Sequence, residues 1–267
     1  MAALKGTILT LRGVETRRTL VVLPTFNERE NLVPLVDAVR EQLPQAAVLI
    51  VDDNSPDGTG EIADGLAAGR DDVFVLHRAC KLGLGTAYVE AFKWALARDF
   101  DVVLEMDVDF SHGPHYLPQL VGALADADLV IGSRYVAGGG TENWSAVRQF
   151  ISQGGNWVAR VGLGIQTRDA TGGYRAFRRS TLELLQFKDL SLRGYGFQIE
   201  VVYQVEQRGL KIREVPITFV ERAAGQSKMS KAIVLEAVLH ILRRRFRRTF
   251  ARRRAQVDVP APVSDKA

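Results

Sequence analysis

Between Thr19 and Met106 three apolar runs each end in a polar, turn-forming loop, and that repeated ending restricts the fold more than any other feature of the chain. Thr19–Leu23 leads into Pro24-Thr25-Phe26-Asn27-Glu28. Val48–Val51 leads into Asp52-Asp53-Asn54-Ser55-Pro56-Asp57-Gly58-Thr59, and Val102–Met106 leads into Asp107-Val108-Asp109-Phe110. Helical spacing fills the intervals: Leu32, Leu35, Val36 and Val39 within Glu28–Gln42, then segments around Gly60–Gly69 and Thr86–Arg98, with Val73–Leu76 as a further strand. Helix Tyr116–Leu124 and strand Leu129–Gly132 continue the alternation. Strands alternating with helices require a mostly parallel sheet covered on both faces, an α/β fold. Ligands of such sheets bind beyond the carboxyl ends of the strands, where the polar loops fall.

The later chain is less regular. Ala137–Trp144 is glycine-rich and reads as a flexible loop. Ser145–Leu163 has an apolar helical face with Phe150, Ile151, Trp157, Val158 and Val161, and Phe197–Gln207 reads as another helix. Ile212–Phe219 reads as a strand interrupted by Pro216, which places it at a sheet edge. The expected organisation is an N-terminal extension over 1–18, a catalytic domain over 19–229, a C-terminal amphipathic basic helix over 230–254, and a disordered tail over 255–267.

At 267 residues and 46% hydrophobic content, the chain can bury a sizeable core. One cysteine, Cys80, excludes an internal disulfide framework and suits a reducing compartment. No apolar run has the length of a secretory signal core or a bilayer span, so the chain is expected to be neither translocated nor integral to a membrane by its own sequence. The net charge of +4 is concentrated in Arg243–Arg254, which holds eight arginines; taking those eight away leaves the remainder at −4. A basic character so local argues against a nucleic-acid partner.

The strand ending in Asp107 and Asp109 carries the sharpest chemistry. Unpaired carboxylates at a strand end are costly to desolvate, and alternate residues of an extended chain face the same way. Asp107 and Asp109 can therefore converge on one hard cation, Mg²⁺ or Mn²⁺, which shares its shell with phosphate oxygens. The competing reading is a solvated Asp-x-Asp turn. Likewise Asn27 or Thr25 would serve as a helix cap, and Asp52–Thr59 as a plain turn. Gly83-Leu84-Gly85-Thr86 lacks the third glycine of a dinucleotide fingerprint and reads as a tight strand-to-helix turn. The four histidines lack zinc spacing, and no Gly-x-Ser-x-Gly elbow supports a hydrolase. Opposite charge comes from Arg134 in Gly132-Ser133-Arg134-Tyr135, from Arg175 after Gly172-Gly173-Tyr174, and from Arg222 and Lys228 around Gly225-Gln226-Ser227. Cations beside small residues suit phosphate oxygens, which approach closely there.

Together, Pro24–Glu28, Asp52–Thr59, Asp107–Pro114, Gly132–Tyr135, Gly172–Phe177 and Glu214–Lys228 resemble the polyprenol (dolichol) phosphate mannose synthases, inverting family-2 glycosyltransferases of the GT-A fold. The resemblance runs from about Leu20 to Lys231, with the motifs in family order. It implies that Pro24, Thr25, Phe26, Asn27 and Glu28 shape the nucleotide pocket, with Asp53 near the base or ribose. Asp107 and Asp109 would hold the divalent ion against a GDP diphosphate. Asp109, Arg134, Arg222 and Lys228 would form the catalytic set, and Arg148 and Arg175 would meet the acceptor phosphate. Some relatives have a metal-reaching glutamine two residues past the second aspartate; Ser111 stands there, which leaves a coordination site to water.

The resemblance implies GDP-mannose as donor, a polyprenyl phosphate as acceptor, a membrane surface as the workplace, and room for a separate integral membrane protein as partner. Competing readings are a sister enzyme using UDP-glucose or another nucleotide sugar, and an inactive lipid- or nucleotide-binding module. Along the expected C-terminal helix, Glu236, His240, Arg243 and Arg247 form a polar stripe, while Ile233, Val234, Leu235, Val238, Leu239, Leu242 and Phe246 fill the rest. Such a helix suits the surface of an anionic leaflet, or else packs on the catalytic body.

Overall fold

The structure, a computed structural model, describes residues 18–190, 194–221, 241 and 244, with Tyr195 described by its backbone only. The elements in chain order are β1 (Thr19–Thr25), α1 (Leu32–Gln42), β2 (Ala47–Asp52), α2 (Thr59–Gly69), β3 (Val73–His77), α3 (Leu84–Leu96), β4 (Val102–Glu105), α4 (Leu117–Ala123) and β5 (Leu129–Ser133). They continue with β6 (Gly140–Glu142), α5 (Ala146–Leu163), β7 (Arg175–Arg178), α6 (Arg179–Leu184), α7 (Tyr195–Gln207), β8 (Ile212–Pro216) and β9 (Thr218–Val220).

Seven strands form one sheet in the order β3-β2-β1-β4-β7-β5-β8, and β6 pairs with β9 in a separate ribbon. The pairs β3·β2, β2·β1, β1·β4 and β5·β8 are parallel. Alternate residues of β1 explain why its run is apolar throughout. Leu20 and Val22 enter one core layer with Leu49, Phe92, Phe177 and Phe197. Val21 and Leu23 enter the other with Leu35, Ile50, Leu104 and Leu120. A strand covered on both faces cannot alternate with polar residues.

Three features differ from the sequence expectation. First, β7 runs antiparallel between β4 and β5, with Glu105 opposite Arg175 on one side and Ile131 opposite Arg175 on the other. Second, the glycine-rich segment contains β6, and the strand broken by Pro216 becomes two strands. Of these, β8 lies at the sheet edge as expected, while β9 leaves the sheet to pair in parallel with β6. Third, α5 forms as expected but points its apolar stripe away from the core. Phe150 is 79% exposed and Trp157 63%, with Val147, Ile151, Val158 and Val161 also exposed. Its buried residues are Asn156, Ala159 and Leu163.

Among the described residues, no helix is long and apolar enough to cross a membrane. Most of the expected C-terminal helix, and the basic run with it, lies outside the described residues. At the two described positions that segment meets the catalytic body. Ile241 joins the core layer of Leu20 and packs so closely on Gly162 that a Cβ there would collide with its Cγ2. Arg244 pairs with Glu200 on α7 and with Asp189, the latter at 3.0 Å.

Candidate active site

The loops that follow β1, β2 and β3 are tied to one another before any ligand arrives. Thr25 closes β1, and its hydroxyl donates to Asp52 Oδ1 at 2.9 Å. Asp52 also accepts from the Ser55 hydroxyl and amide, at 2.6 and 3.0 Å. Asp52 is thus a buried buckle, and the neighbouring Asp53, also buried, is held by a different partner. Arg78, at the end of β3, donates to Asp53 at 2.6 Å and to Thr86 on α3 at 2.6 Å, and lies 3.3 Å from Glu90. Burial raises the Asp53 pKa against the opposing pull of Arg78.

Pro24 and Thr25 belong to β1, whereas Phe26, Asn27 and Glu28 form its loop. The amide of Asn27 donates to Ser55 and that of Glu28 to Thr59, at 3.1 and 3.0 Å. Asn27 and Asn54 hold φ near +58° and +57°, a region asparagine tolerates better than most residues. The Lys81 ammonium lies 3.8 Å from the centroid of the Phe26 ring.

Beyond β4 the chain keeps its alternation. Met106 and Val108 are buried, while Asp107 and Asp109 are partly exposed on the opposite side. Each of the two residues has a local brace. Ser111 donates its amide, at 3.1 Å, and its hydroxyl to Asp109 Oδ1. The Asp107 amide donates to His112 Nδ1 at 3.0 Å, which leaves the ring hydrogen on Nε2, 4.0 Å from Asp107 Oδ2. Burial lowers the His112 pKa despite the acids beside it, so the ring stays neutral near pH 7. It stacks on Tyr174 at 4.8 Å. Phe110, between the two braces, sits at φ +59°, a strained conformation for an aromatic residue and one that collects at functional loops.

Among the described residues no group of three or more His, Cys, Asp or Glu side chains could hold a metal ion. The pair Asp107 and Asp109 offers instead two carboxylates, the donor type that could hold a hard divalent ion whose other ligands came from water or substrate. Beneath them, fully buried Glu105 accepts from Gln198 at 3.0 Å, and burial pushes its pKa up to about 8 against Arg175 and Gln198.

The arginines divide sharply. Arg134 follows β5 and makes a two-pronged contact with Asp169, Nε to Oδ2 at 2.8 Å and Nη2 to Oδ1 at 2.7 Å. Burial works to raise the Asp169 pKa, but the charge and hydrogen bonds of Arg134 outweigh it and hold the carboxyl below its usual range. Asp169 is held in turn through its amide by Glu214, at 2.9 Å. Arg148, on the first turn of α5, pairs with Glu221 and lies 4.0 Å from the Trp144 ring centroid. Arg134 approaches the same indole at 5.4 Å, so Trp144 links the two cations. The β6·β9 ribbon, which pairs Glu142 with Val220, brings this loop to the strand that leads into Arg222.

Arg175 does not join them. It is fully buried, and donates to the carbonyls of Gly172, Gln198 and Ala170 at 2.8, 3.0 and 2.9 Å. Burial lowers its pKa to about 10, so it remains a cation, but one that braces the loop before β7 against α7 rather than meeting an acceptor phosphate. Arg222 and Lys228 lie outside the described residues. The sequence reading passed over Arg78, His112, Trp144, Asp169 and Glu221. His112 and Glu221 stood inside quoted motifs, whereas nothing local marked Trp144.

A doubly covered sheet, paired carboxylates beyond the central strand β4 and a buried arginine beyond β5, on the far side of β7, are the features of a glycosyltransferase of the GT-A kind. The chain belongs to glycosyl transferase family 2, whose sequence profile matches residues 20–185. It is similar to the undecaprenyl-phosphate mannosyltransferase of Micrococcus luteus, 48% identical over 226 residues that cover 85% of this chain and 93% of that protein. It is also similar to the polyprenol monophosphomannose synthase of Mycolicibacterium smegmatis, 48% identical over 228 residues, 85% of this chain and 86% of that one. The glucosyl-3-phosphoglycerate synthase of Mycobacterium tuberculosis, solved with Mn²⁺, UDP-glucose and phosphoglyceric acid, shares the fold. Its TM-score is 0.64 at 22% identity, over 86% of this chain and 80% of that one.

Proposed function

We propose that this glycosyltransferase moves mannose from GDP-mannose to a polyprenyl monophosphate at the cytoplasmic face of a membrane, with inversion at the anomeric carbon. The observation that carries the reading is the nearness of two charge sets: His112, which holds the Asp107 amide, lies 5.5 Å from the Phe219 ring, the Arg134 guanidinium lies 5.7 Å from that same ring, and Trp144 joins Arg134 to Arg148. Similarity to two enzymes named for polyprenyl-phosphate mannosyl transfer supports the substrate class.

A lipid monophosphate is largely ionised near neutral pH, so its oxygen attacks without a general base. The neutral, buried His112 agrees with this, since it braces Asp107 instead of moving a proton. The protein's task is to hold two anions together. Arg134 and Arg148 receive the acceptor phosphate, joined in this reading by Arg222 and Lys228. Phe26, Asn27, Glu28 and Asp53 seat the nucleotide, with Arg78 fixing Asp53. Asp107 and Asp109 would bind Mg²⁺ or Mn²⁺, which when bound neutralises charge on the departing diphosphate. Displacement from the face opposite GDP turns an α-linked donor into a β-linked mannosyl phosphate.

The outward stripe of α5 supports work at a bilayer, because Phe150, Trp157 and Val161 stand exposed on the helix whose first turn carries Arg148. An apolar face on the same helix as a phosphate-binding cation suits an acceptor whose chain stays in lipid. A panel of nucleotide sugars offered with polyprenyl phosphate in anionic vesicles, with Mg²⁺ or Mn²⁺, tests the reading. Transfer from GDP-mannose above all others is expected. Preference for UDP-glucose would move the chain to the sister activity, and no transfer from any donor would leave a binding module.

A further inference from the structure

We propose that Asn156 and Thr171 are positioning residues for Arg134, joining the guanidinium that receives the acceptor phosphate to the helix that faces the lipid. The inference rests on the acceptor assigned under Proposed function and deepens it. Asn156 is the one polar side chain among the three buried residues of α5, and burying an amide is costly unless its hydrogen bonds are replaced.

Outside the helix they are replaced at a single residue. Asn156 Nδ2 donates to the Thr171 hydroxyl at 3.0 Å, and the Thr171 amide donates back to Asn156 Oδ1 at 3.2 Å. A second contact of Nδ2, to the Ser152 carbonyl at 3.0 Å, stays within the helix. The Thr171 hydroxyl also accepts from Arg134 Nη2 at 2.9 Å and donates to Asp169 Oδ1 at 3.4 Å. A hydroxyl has one hydrogen and two lone pairs, so all three capacities are filled, each by a different neighbour. Its orientation is therefore fixed jointly by α5, Arg134 and Asp169.

One turn earlier, α5 holds the adjacent residue as well. Tyr135 donates its hydroxyl to Ser152 at 2.7 Å. Arg148, Ser152 and Asn156 stand four residues apart along one face of α5, so one stripe carries a phosphate-facing cation and both grips on Arg134-Tyr135. The opposite stripe is the exposed apolar one. Any tilt of α5 as that face settles into lipid moves the hydroxyl against which Arg134 is aligned. Glu214 and Asp169 hold Arg134 from the sheet side, and Asn156 and Thr171 hold it from the helix side.

The test compares full-length wild type with Asn156→Ala, Thr171→Val, Thr171→Ser and the double variant Asn156→Ala/Thr171→Val. For each, thermal melting, GDP affinity by calorimetry, and KM and kcat for polyprenyl phosphate in vesicles are measured. Asn156→Ala and Thr171→Val should each raise the acceptor KM roughly tenfold, as expected when a charge-assisted contact loses its alignment. GDP affinity should hold, Thr171→Ser should restore the wild-type value, and the double variant should lose no more than Thr171→Val alone. If Asn156→Ala fails to fold, Asn156→Gln keeps the amide and displaces it by one methylene, with the same expected rise. Unchanged acceptor KM in the folded variants, additive losses, or a parallel loss of GDP affinity would overturn the positioning role. Absence of any transfer or acceptor binding by the wild type would instead overturn the functional reading on which it rests.

Discussion

The two halves of the sheet hold their charged residues by different means. On the β3-β2-β1-β4 side the strands are all parallel, and each acidic loop is braced mostly from within or from the next loop. Ser111 holds Asp109 from two residues away, His112 holds Asp107 from five, and Ser55 holds Asp52 from three. On the β7-β5-β8 side three charged residues of the site depend on distant partners: Arg134 on Asp169, Asp169 on Glu214, Arg148 on Glu221. The first half resembles a prefabricated cradle for a nucleotide diphosphate. The second is an ion-pair lattice that exists only once the chain has closed, and its cations are neutralised in advance. Such a lattice should be structurally indispensable where the cradle is chemically indispensable.

The comparison breaks most readily at Asp169. Removing it as Asp169→Ala strands a buried guanidinium, and a loss of about 3–5 kcal/mol in stability is expected by urea denaturation. A loss under about 1 kcal/mol would mean that Arg134 has other support. The acid limb sharpens the same point. The folded pKa of Asp169 lies below its ordinary 3.8, so the stabilisation is whole above that value and is lost as pH falls through the folded pKa. Asp169→Asn should flatten that limb, as seen in melting temperature against pH.

On the cradle side the expected effect moves from stability to rate. Asp109→Asn should lower turnover roughly 10²–10³-fold, the scale of losing one preorganised contact to developing charge, while the melting temperature stays put. Near-normal turnover at saturating metal would reduce Asp107 and Asp109 to a solvated turn. Next in size is Arg148→Ala. It should weaken use of the acceptor by about 2 kcal/mol in kcat/KM without altering GDP affinity, because its partner Glu221 is half-exposed and tolerates the loss. An equal fall in GDP affinity would erase the division between the halves. The smallest change in stability, within about 0.5 kcal/mol, is expected for Phe150→Ser combined with Trp157→Ser, since both rings already face solvent. The same variant should sediment less with anionic vesicles; unchanged sedimentation would leave the α5 stripe without a role at lipid.

The same division explains what the amino-acid sequence made legible. The strand endings at Thr25, Asp52 and Glu105 are local events, written in apolar runs and turn residues, and the alternation that turns Asp107 and Asp109 outward follows from extended backbone alone. β7 was not legible as a strand, because Arg-Ala-Phe-Arg is short and its neighbours are set by register across the sheet. For that reason Arg134 and Arg175, both arginines beside small residues, read alike although one faces Trp144 and the other ends among carbonyls. On α5 the helical period was visible but its direction was not. An apolar stripe says that a face seeks an apolar partner, not whether the partner is core or lipid. Asn156 carried the missing sign, as a polar residue on the side that is buried.

The antiparallel strand in the middle of the sheet also bears on how the molecule is made. A ribosome releases β1 to β4 early, and these can zip into a contiguous sheet while the rest is still being added. β4 then waits with one open edge through the synthesis of α4, β5, β6 and α5, because its second neighbour is β7 rather than β5. An unpaired edge lined by Val102, Val103 and Leu104 is a template for foreign strands during that interval. The nascent protein is most exposed to misassembly until Arg178 emerges, which makes the rate of elongation and chaperone cover of that edge part of its yield.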